Sequence, residues 1–297
     1  MIKNNITVAI ITYDRSDDIH RCILAILNQT IIPEQIIIVD SSPNNKTKKV
    51  IEKINNGIIK YLKSKKRLFI PQARNLALKN CLTKYIAYPD DDTVPSKDWI
   101  KYLLEGFSYF DVAGSSGPSI NSDENLKPLL KEIHDTNNKN FYTFWGEVRT
   151  DSRRWVPPKP VFCTVMHGSN MAYSTTVLKE VGGFDEKCLG PSFREDSHPQ
   201  VAIIRKGYRF LYHPKAKVYH LVGKKGGISD IEFKMDEYFC EAGKNHRHFS
   251  DKYFNKFIAR LSWIFWSKNP PCLWMALIRT IIEKKNYLAW HKGLWLN

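Results

Sequence analysis

Asp90-Asp91-Asp92 directly follows the apolar run Tyr85-Ile86-Ala87-Tyr88 and precedes Thr93-Val94-Pro95. Three carboxylates at the end of a strand repel one another, and at least one takes up a proton unless positive charge compensates. A divalent cation with oxygen ligands is the usual compensation. An isolated acidic run reads equally well as a solvated turn. Here, however, further polar groups recur at equivalent places: Thr12-Tyr13-Asp14-Arg15 after the first apolar run, and Asp40 after Gln35 to Val39.

The elements that must position these groups alternate. Ile6–Thr12 is a continuous β-branched run, the mark of a strand buried on both faces. Ser16-Asp17-Asp18 supplies helix-start chemistry, and Ile19, Cys22, Ile23, Ile26 and Leu27 repeat at helical spacing. A second strand follows at Gln35–Asp40, then a polar helix near 46–55, a strand near 58–62, a helix over about 71–81 and a strand over 84–88. Ser96 reads as the cap of another helix, with Trp99, Leu103 and Phe107 on one face. This β-α-β-α order predicts an α/β fold with a largely parallel sheet and helices on both sides. Such sheets bind ligands beyond the carboxyl ends of their strands, where Thr12 to Arg15, Asp40 and Asp90 to Asp92 all fall.

The first strand runs into Thr12-Tyr13-Asp14-Arg15-Ser16 rather than a Gly-x-Gly-x-x-Gly turn, and no Gly-Lys-Thr loop is present. Nicotinamide chemistry and ordinary nucleoside triphosphate hydrolysis lose ground. A nucleotide would be held by side chains, carboxylates and metal. Thr12, Asp14 and Arg15 can reach its base, ribose and phosphates. Asp40 can accept a hydrogen bond from the imide N–H of uracil or thymine, or else cap the turn Ser41-Ser42-Pro43. Arg74 offers a permanent charge, or a partner for Asp40.

The 297 residues suffice for one large α/β domain with a helical appendage, and 43% hydrophobic residues suit a packed core. Six dispersed cysteines form no metal-ligand pair or disulfide framework, which predicts reduced thiols in the cytoplasm. Ile6–Thr12 is too short for a secretory signal. The net charge of +15 calls for an anionic partner, but no zinc-finger spacing, basic zipper or RNA-binding signature appears, so nucleic acid is not expected. The stretch 228–297 reads as a helical, basic, tryptophan-rich region. Lys268, Pro270-Pro271 and Arg279 interrupt it, so no clean span of about 20 apolar residues exists. Trp263, Trp266, Trp274, Trp290 and Trp295 among basic residues suit a peripheral contact at the inner face of the cell membrane; packing onto the rest of the chain explains them too.

Ile10-Ile11-Thr12-Tyr13-Asp14-Arg15, Val39-Asp40-Ser41-Ser42, Gln72-Ala73-Arg74-Asn75 and Pro89-Asp90-Asp91-Asp92 resemble the nucleotide-sugar half of the family 2 inverting glycosyltransferases, which have the GT-A fold. The likeness continues through His167-Gly168-Ser169-Asn170-Met171-Ala172, Gly182-Gly183-Phe184-Asp185-Glu186, Arg194-Glu195-Asp196 and Ala216-Lys217-Val218-Tyr219-His220. It covers roughly 5–227, which implies a catalytic domain over 1–227, divided into a nucleotide-sugar half (1–118) and an acceptor half (119–227).

The resemblance implies a nucleotide-sugar donor, a UDP-sugar by family habit, and a glycan or lipid-linked acceptor in cell-envelope synthesis. It implies that Asp92 binds the metal, joined by Asp90 and His220, with Asp90 or Asp91 on the ribose side; the extra aspartate leaves that register open. The cofactor is Mn2+ or Mg2+, and an imidazole ligand favours manganese. Asp196 becomes the base that deprotonates the acceptor hydroxyl, Glu195 orients its neighbours, and His198 can tune Asp196. The ordinary reading of Glu195-Asp196 is a pair of acids at a helix start. Gly168, Ser169 and Asn170 are the acceptor-site candidates. The aromatics from Phe141 to Trp145 and the arginines Arg149, Arg153 and Arg154 either approach the acceptor or pack within a surface insertion. A processive synthase is disfavoured, because Gln200 to Arg205 lacks the tryptophan of the Gln-x-x-Arg-Trp element. A glycoside hydrolase would need no aspartate cluster. The remaining rivals are a nucleotidyltransferase of related architecture and a non-catalytic anion- or membrane-binding protein on the same fold.

Overall fold

A computed structural model of the chain describes residues 4–137, 139–143, 146, 148–221 and 235–256. It opens with β1 (Ile6–Thr12), α1 (Ser16–Leu27), β2 (Gln35–Asp40), α2 (Lys46–Ile54), β3 (Ile59–Lys63), α3 (Ile70–Asn80) and β4 (Tyr85–Pro89). The three strands β1, β2 and β3 pair in parallel, and β4 pairs in parallel with the other edge of β1. The chain therefore reverses its lateral direction at β1/β4, which opens a crevice beyond the ends of these two strands. An isolated bridge between Ile11 and Asp90 carries the pairing up to the aspartates.

The buried strands alternate between two apolar layers, as a period of two requires. Ile6, Val8, Ile10, Ile36 and Ile38 pack with Ile19, Cys22, Ile23 and Trp99 on one face. Ala9, Ile37 and Val39 pack with Ala73, Ala77, Leu178 and Phe184 on the other. The helix α3 begins at Ile70 because Pro71 suits the first turn and the Gln72 side chain accepts the Phe69 backbone N–H at 3.0 Å.

After β4 come β5 (Thr93–Pro95), α4 (Trp99–Gly106), β6 (Val112–Ser116), β7 (Ser119–Ser122), β8 (Phe141–Tyr142), β9 (Val148–Arg149), β10 (Val161–Cys163) and β11 (Asn170–Ser174). The described chain continues through α5 (Thr175–Glu180), α6 (Ser197–Arg205), β12 (Arg209–Tyr212), β13 (Val218–Leu221) and α7 (Met235–Tyr253). The central sheet has the order β10-β12-β6-β11-β4-β1-β2-β3. It is mostly parallel; β11 runs antiparallel to both β4 and β6, and β10 antiparallel to β12. A three-stranded sheet, β5-β13-β7, sits beside the aspartates, and its register sets His220 opposite Thr93.

Ser96 is not the cap of α4. Asp98 holds the N-cap position, and the Ser96 carbonyl instead accepts from Trp99 N and from Gln29 Nε2. The stretch 119–160 joins the main body: Trp155 is fully buried and stacks on Tyr212, with ring centroids 4.9 Å apart. Tyr142 packs against Phe249 of α7 and donates to Gln200, while Phe144 and Trp145 lie outside the described residues. Of the tail, α7 is described and packs on α6 through Val201, Phe249 and Tyr253. The tryptophan-rich part from 257 lies outside the described residues. Among those described, no helix is long and apolar enough to cross a membrane, and the five cysteines are free thiols.

Candidate active site

The loop after β1 and the end of β4 meet through Arg15. Its Nη1 stands 2.6 Å from Asp92 Oδ2 and 3.1 Å from Asp91 Oδ1, and Thr12 Oγ1 donates to Asp91 Oδ2 at 2.7 Å. Burial pushes the Asp91 carboxyl up to about 7; Arg15 pulls it down, and its neighbours Asp92 and Asp90 push it up again. Both Asp91 oxygens are thus engaged, and Asp91 fastens the Thr12–Arg15 loop.

Asp92 differs. Its Oδ1 is buried and makes no hydrogen bond among the described residues, yet it lies 3.5 Å from His220 Nε2. The Leu221 N–H donates to the Asp92 carbonyl at 3.0 Å, so the pairing of β13 with β5 brings a histidine from far along the chain to this carboxylate. Burial, then Asp90, raises the Asp92 carboxyl, against His220 and Arg15. Asp90 is 39% exposed at its side chain. Ligand atoms of Asp90, Asp92 and His220 lie within 4.8 Å of one another. An orphaned buried carboxylate oxygen facing an imidazole, with a second carboxylate beside it, is a donor set that fits a divalent cation.

A cleft of about 400 Å³ opens on these groups, within the range of small-molecule sites. Thr12, Arg15, Arg74 and Asp90 to Asp92 line it together with His220 and Arg153. On one side Arg67 lies over the Tyr13 ring, 3.9 Å from its centroid, beside Phe69.

Arg74 reaches from α3 into the middle of the arrangement. It forms a short ion pair with Glu195, donates to the Gly168 carbonyl at 3.0 Å and stands 3.5 Å from Asp90. Burial alone would lower its pKa, but Glu195, Asp90 and Asp196 together raise it. Burial lifts Glu195 to about 8 against the pull of Arg74. Asp196, at the N-cap position of α6, is half-buried and accepts from the Ser197 hydroxyl at 3.1 Å. Gly168 approaches it closely: a Cβ there would lie 3.2 Å from Asp196 Oδ2. The loop leading to Asp196 holds Ser192 at φ 52° and Arg194 at φ 70°, a costly conformation for side-chain-bearing residues.

Glu195 and Gly168 meet the cleft through Arg74, and Asp196 adjoins Gly168, without lining it themselves; five further sequence candidates do not line it either. The buried Asp40 accepts from the Ser42 N–H at 2.7 Å, the Tyr61 hydroxyl at 2.6 Å and Lys63 Nζ at 3.0 Å, so it caps its own turn and makes no pair with Arg74. Asp14 is exposed and accepts from Asn44 at 2.7 Å. Ser169 shares its hydroxyl with Ser119 and His167, and Asn170 bonds Trp99, Pro118 and Ala216; both are fully buried and pin strands together. His198 turns away from Asp196 toward Asp185 and α7. Conversely, Arg153 reaches the cleft, 3.3 Å from His220 Nδ1 and bonded to Asn121. Its sequence neighbourhood is rich in arginine, but nothing there singles out Arg153. Tyr13, which lies within the strand-end motif without being singled out there, and Arg67, which no motif contains, are also cleft residues.

Comparison with known proteins gives the family and the fold. The sequence model of Glycosyl transferase family 2 matches residues 7–182. The O-antigen chain rhamnosyltransferase WbaN of Salmonella anatum is 27% identical over 198 residues, 66% of this chain and 59% of the relative. The O-antigen chain rhamnosyltransferase RfbN of Salmonella typhimurium is 27% identical over 217 residues, 72% of this chain and 66% of the relative. The aligned part therefore spans about three fifths to two thirds of these relatives' length. Among solved structures, a mannosyltransferase of Pyrobaculum calidifontis in complex with GDP-Man and Mn2+ superposes with a TM-score of 0.60 at 14% identity, covering 98% of this chain and 87% of that one. GalNAc-T7 with UDP, GalNAc and Mn2+ gives 0.58 at 16% identity, covering 90% and 58%. At such identities the likeness shows the fold, which is GT-A. The family match spans more than half of the chain, and the protein is a member of glycosyltransferase family 2.

Proposed function

We propose that the protein is a metal-dependent, inverting glycosyltransferase that moves a sugar from a nucleoside diphosphate to a glycan or lipid-linked acceptor in cell-envelope polysaccharide synthesis. The observation that carries this reading is the Asp90–Asp92–His220 cluster, which shares one cleft with Arg74 and, through it, with Glu195 and Gly168. Asp92, Asp90 and His220 would hold Mn2+ or Mg2+. Bound there, such an ion supplies Lewis-acid neutralisation of the departing diphosphate.

The remaining work falls to the chain's own residues. Arg153 in the cleft wall can bind phosphate oxygens, and the Tyr13–Arg67 pair offers a flat surface to a base. Asp196 takes the proton of the acceptor hydroxyl as its oxygen attacks the anomeric carbon. The bond from that carbon to the diphosphate breaks on the opposite face, and its electron pair leaves with the nucleotide, so an α-linked donor gives a β-linked product. Arg74 holds Glu195 and the Gly168 carbonyl and thereby fixes the two segments that meet at Asp196. The division into a nucleotide-sugar half (1–118) and an acceptor half (119–227) follows from this assignment. The relatives' names support a rhamnosyl unit and an O-antigen-type acceptor, and the nucleotide favoured by family habit is a uracil one. The basic, tryptophan-rich composition of 257–297 supports peripheral attachment at the inner membrane face.

The test is calorimetric titration of UDP, dTDP, GDP and CMP, with and without Mn2+, on wild type and Asp92→Ala. Metal-dependent binding of one diphosphate, lost in the variant, is expected. Folded protein that binds none of them overturns the proposal. Release of pyrophosphate in place of a nucleoside diphosphate during turnover would mark a nucleotidyltransferase instead.

A further inference from the structure

Away from the cleft, Asp185, His198 and His248 also bring ligand atoms within 4.8 Å of one another. They come from three segments: the loop between α5 and α6, the first turn of α6, and α7. Asp185 Oδ2 lies 3.0 Å from His248 Nε2 and 3.4 Å from His198 Nδ1. Two donors each about 2.0–2.1 Å from a zinc ion at a tetrahedral angle stand about 3.3 Å apart, so both spacings are close to the edge of such a shell.

His198 supplies the second observation. Its side chain is 1% exposed, and neither ring nitrogen makes a hydrogen bond among the described residues, while Nδ1 points at the shared oxygen. A buried imidazole left without hydrogen bonds is costly and asks for a partner. Asp185 Oδ1 accepts from the Lys187 N–H at 3.1 Å, so Oδ2 is the oxygen that faces both imidazoles. Lys252 Nζ occupies that oxygen at 2.7 Å, but its side chain is 46% exposed and can swing into solvent.

We propose that Asp185 Oδ2, His198 Nδ1 and His248 Nε2 bind an exchangeable zinc ion, with solvent in the fourth position, that clamps α7 to the segment carrying Glu195 and Asp196. One carboxylate with two imidazoles is a donor set zinc accepts, and the neighbouring ammonium marks the place of the cation it would displace.

The experiment uses the full chain stripped with a chelator, in an Asp92→Ala background that disables the cleft cluster. Zinc is titrated while bound metal is measured by equilibrium dialysis and the unfolding midpoint is recorded. One zinc per chain and a rising midpoint are expected. Adding His248→Gln, at a partly exposed position, should weaken zinc binding by at least the roughly 10–100-fold that loss of an outer-shell partner costs. Asp185→Asn is the second variant should the first fail to fold. No zinc in the Asp92→Ala protein, or zinc held as tightly after either replacement in folded protein, overturns the proposal.

Discussion

At the end of β4, Asp91 and Asp92 share the Arg15 guanidinium and Asp90 leans toward Arg74, whereas at the head of α6 Glu195 takes Arg74 and, among the described residues, Asp196 is left with the Ser197 hydroxyl as its donor. Both regions place adjacent acids beside one cleft, but they distribute cations differently. The first keeps a surplus of carboxylate over guanidinium, the condition under which a site draws a further cation. The second sorts its pair: one member is buried and held by a guanidinium, the other is half-buried and accepts from a hydroxyl at Oδ1. Neighbours in sequence thereby acquire separate duties, anchoring for Glu195 and proton transfer for Asp196.

The largest effect that would break this contrast comes from exchanging the two acids' chemistry. Asp196→Asn should lower kcat by about 10²- to 10⁴-fold, the usual worth of a positioned base, with nucleotide binding intact by calorimetry. Glu195→Gln should act on the fold, because it removes the nearer of the two carboxylates paired with the buried Arg74 while Asp90 stays 3.5 Å away, at a cost below the about 3–5 kcal/mol of a fully broken buried pair. The unfolding midpoint reads that cost. An active Asp196→Asn enzyme, or a Glu195→Gln protein of wild-type stability without turnover, would reverse the assignment.

How much of this was legible in the sequence depends on whether a residue's role is set locally. The β-branched runs of β1 and β2 and the acids that end β4 mark strand-end groups by pattern alone, and the crevice follows from the crossover order. Asp40, Ser169 and Asn170 have the same polar character, yet their partners Tyr61, Lys63, Ser119 and Trp99 come from elsewhere in the chain and turn them into pins. Arg153 is likewise delivered by a segment of weak periodicity, and Asp185, His198 and His248 meet only because α7 folds back on α6. Ser96 was misleading because cap preference is local, whereas the turn it occupies is set by Gln29 from α1's end.

Gly168 sharpens the contrast at a smaller scale. Its backbone needs no unusual φ, so the requirement is space: an added Cβ 3.2 Å from Asp196 Oδ2 forces the carboxylate or the turn before β11 to yield by a few tenths of an ångström. Misplacement of about 1 Å can cost 10²-fold, so Gly168→Ala should lower kcat by about tenfold. Stability and donor binding should change little. Full activity would show that the base has more room than the geometry gives it.

The smallest effect separates the cleft from its scaffold by pH. His213 is stacked on Tyr102, and its Nδ1 accepts from the Lys215 N–H at 3.2 Å; burial, then Lys215, lowers its pKa to about 4. In the unfolded chain the ring protonates near 6.5, so between these values the unfolded state binds more protons and stability falls as pH falls. The slope is at most about 1.4 kcal/mol per pH unit; the half-exposed Glu105, 3.5 Å away, offsets little of it through solvent. Asp91 works in the opposite sense: its raised folded pKa of about 7 lets the native state bind more protons between about 4 and 7, so acid favours the fold there. The two contributions oppose each other in wild type, and a single melting profile hides both. His213→Asn removes the histidine alone, so its midpoint should fall less than that of wild type between pH 7 and pH 5. An equal or steeper fall would mean that His213 titrates normally in the fold and that acid sensitivity has another source.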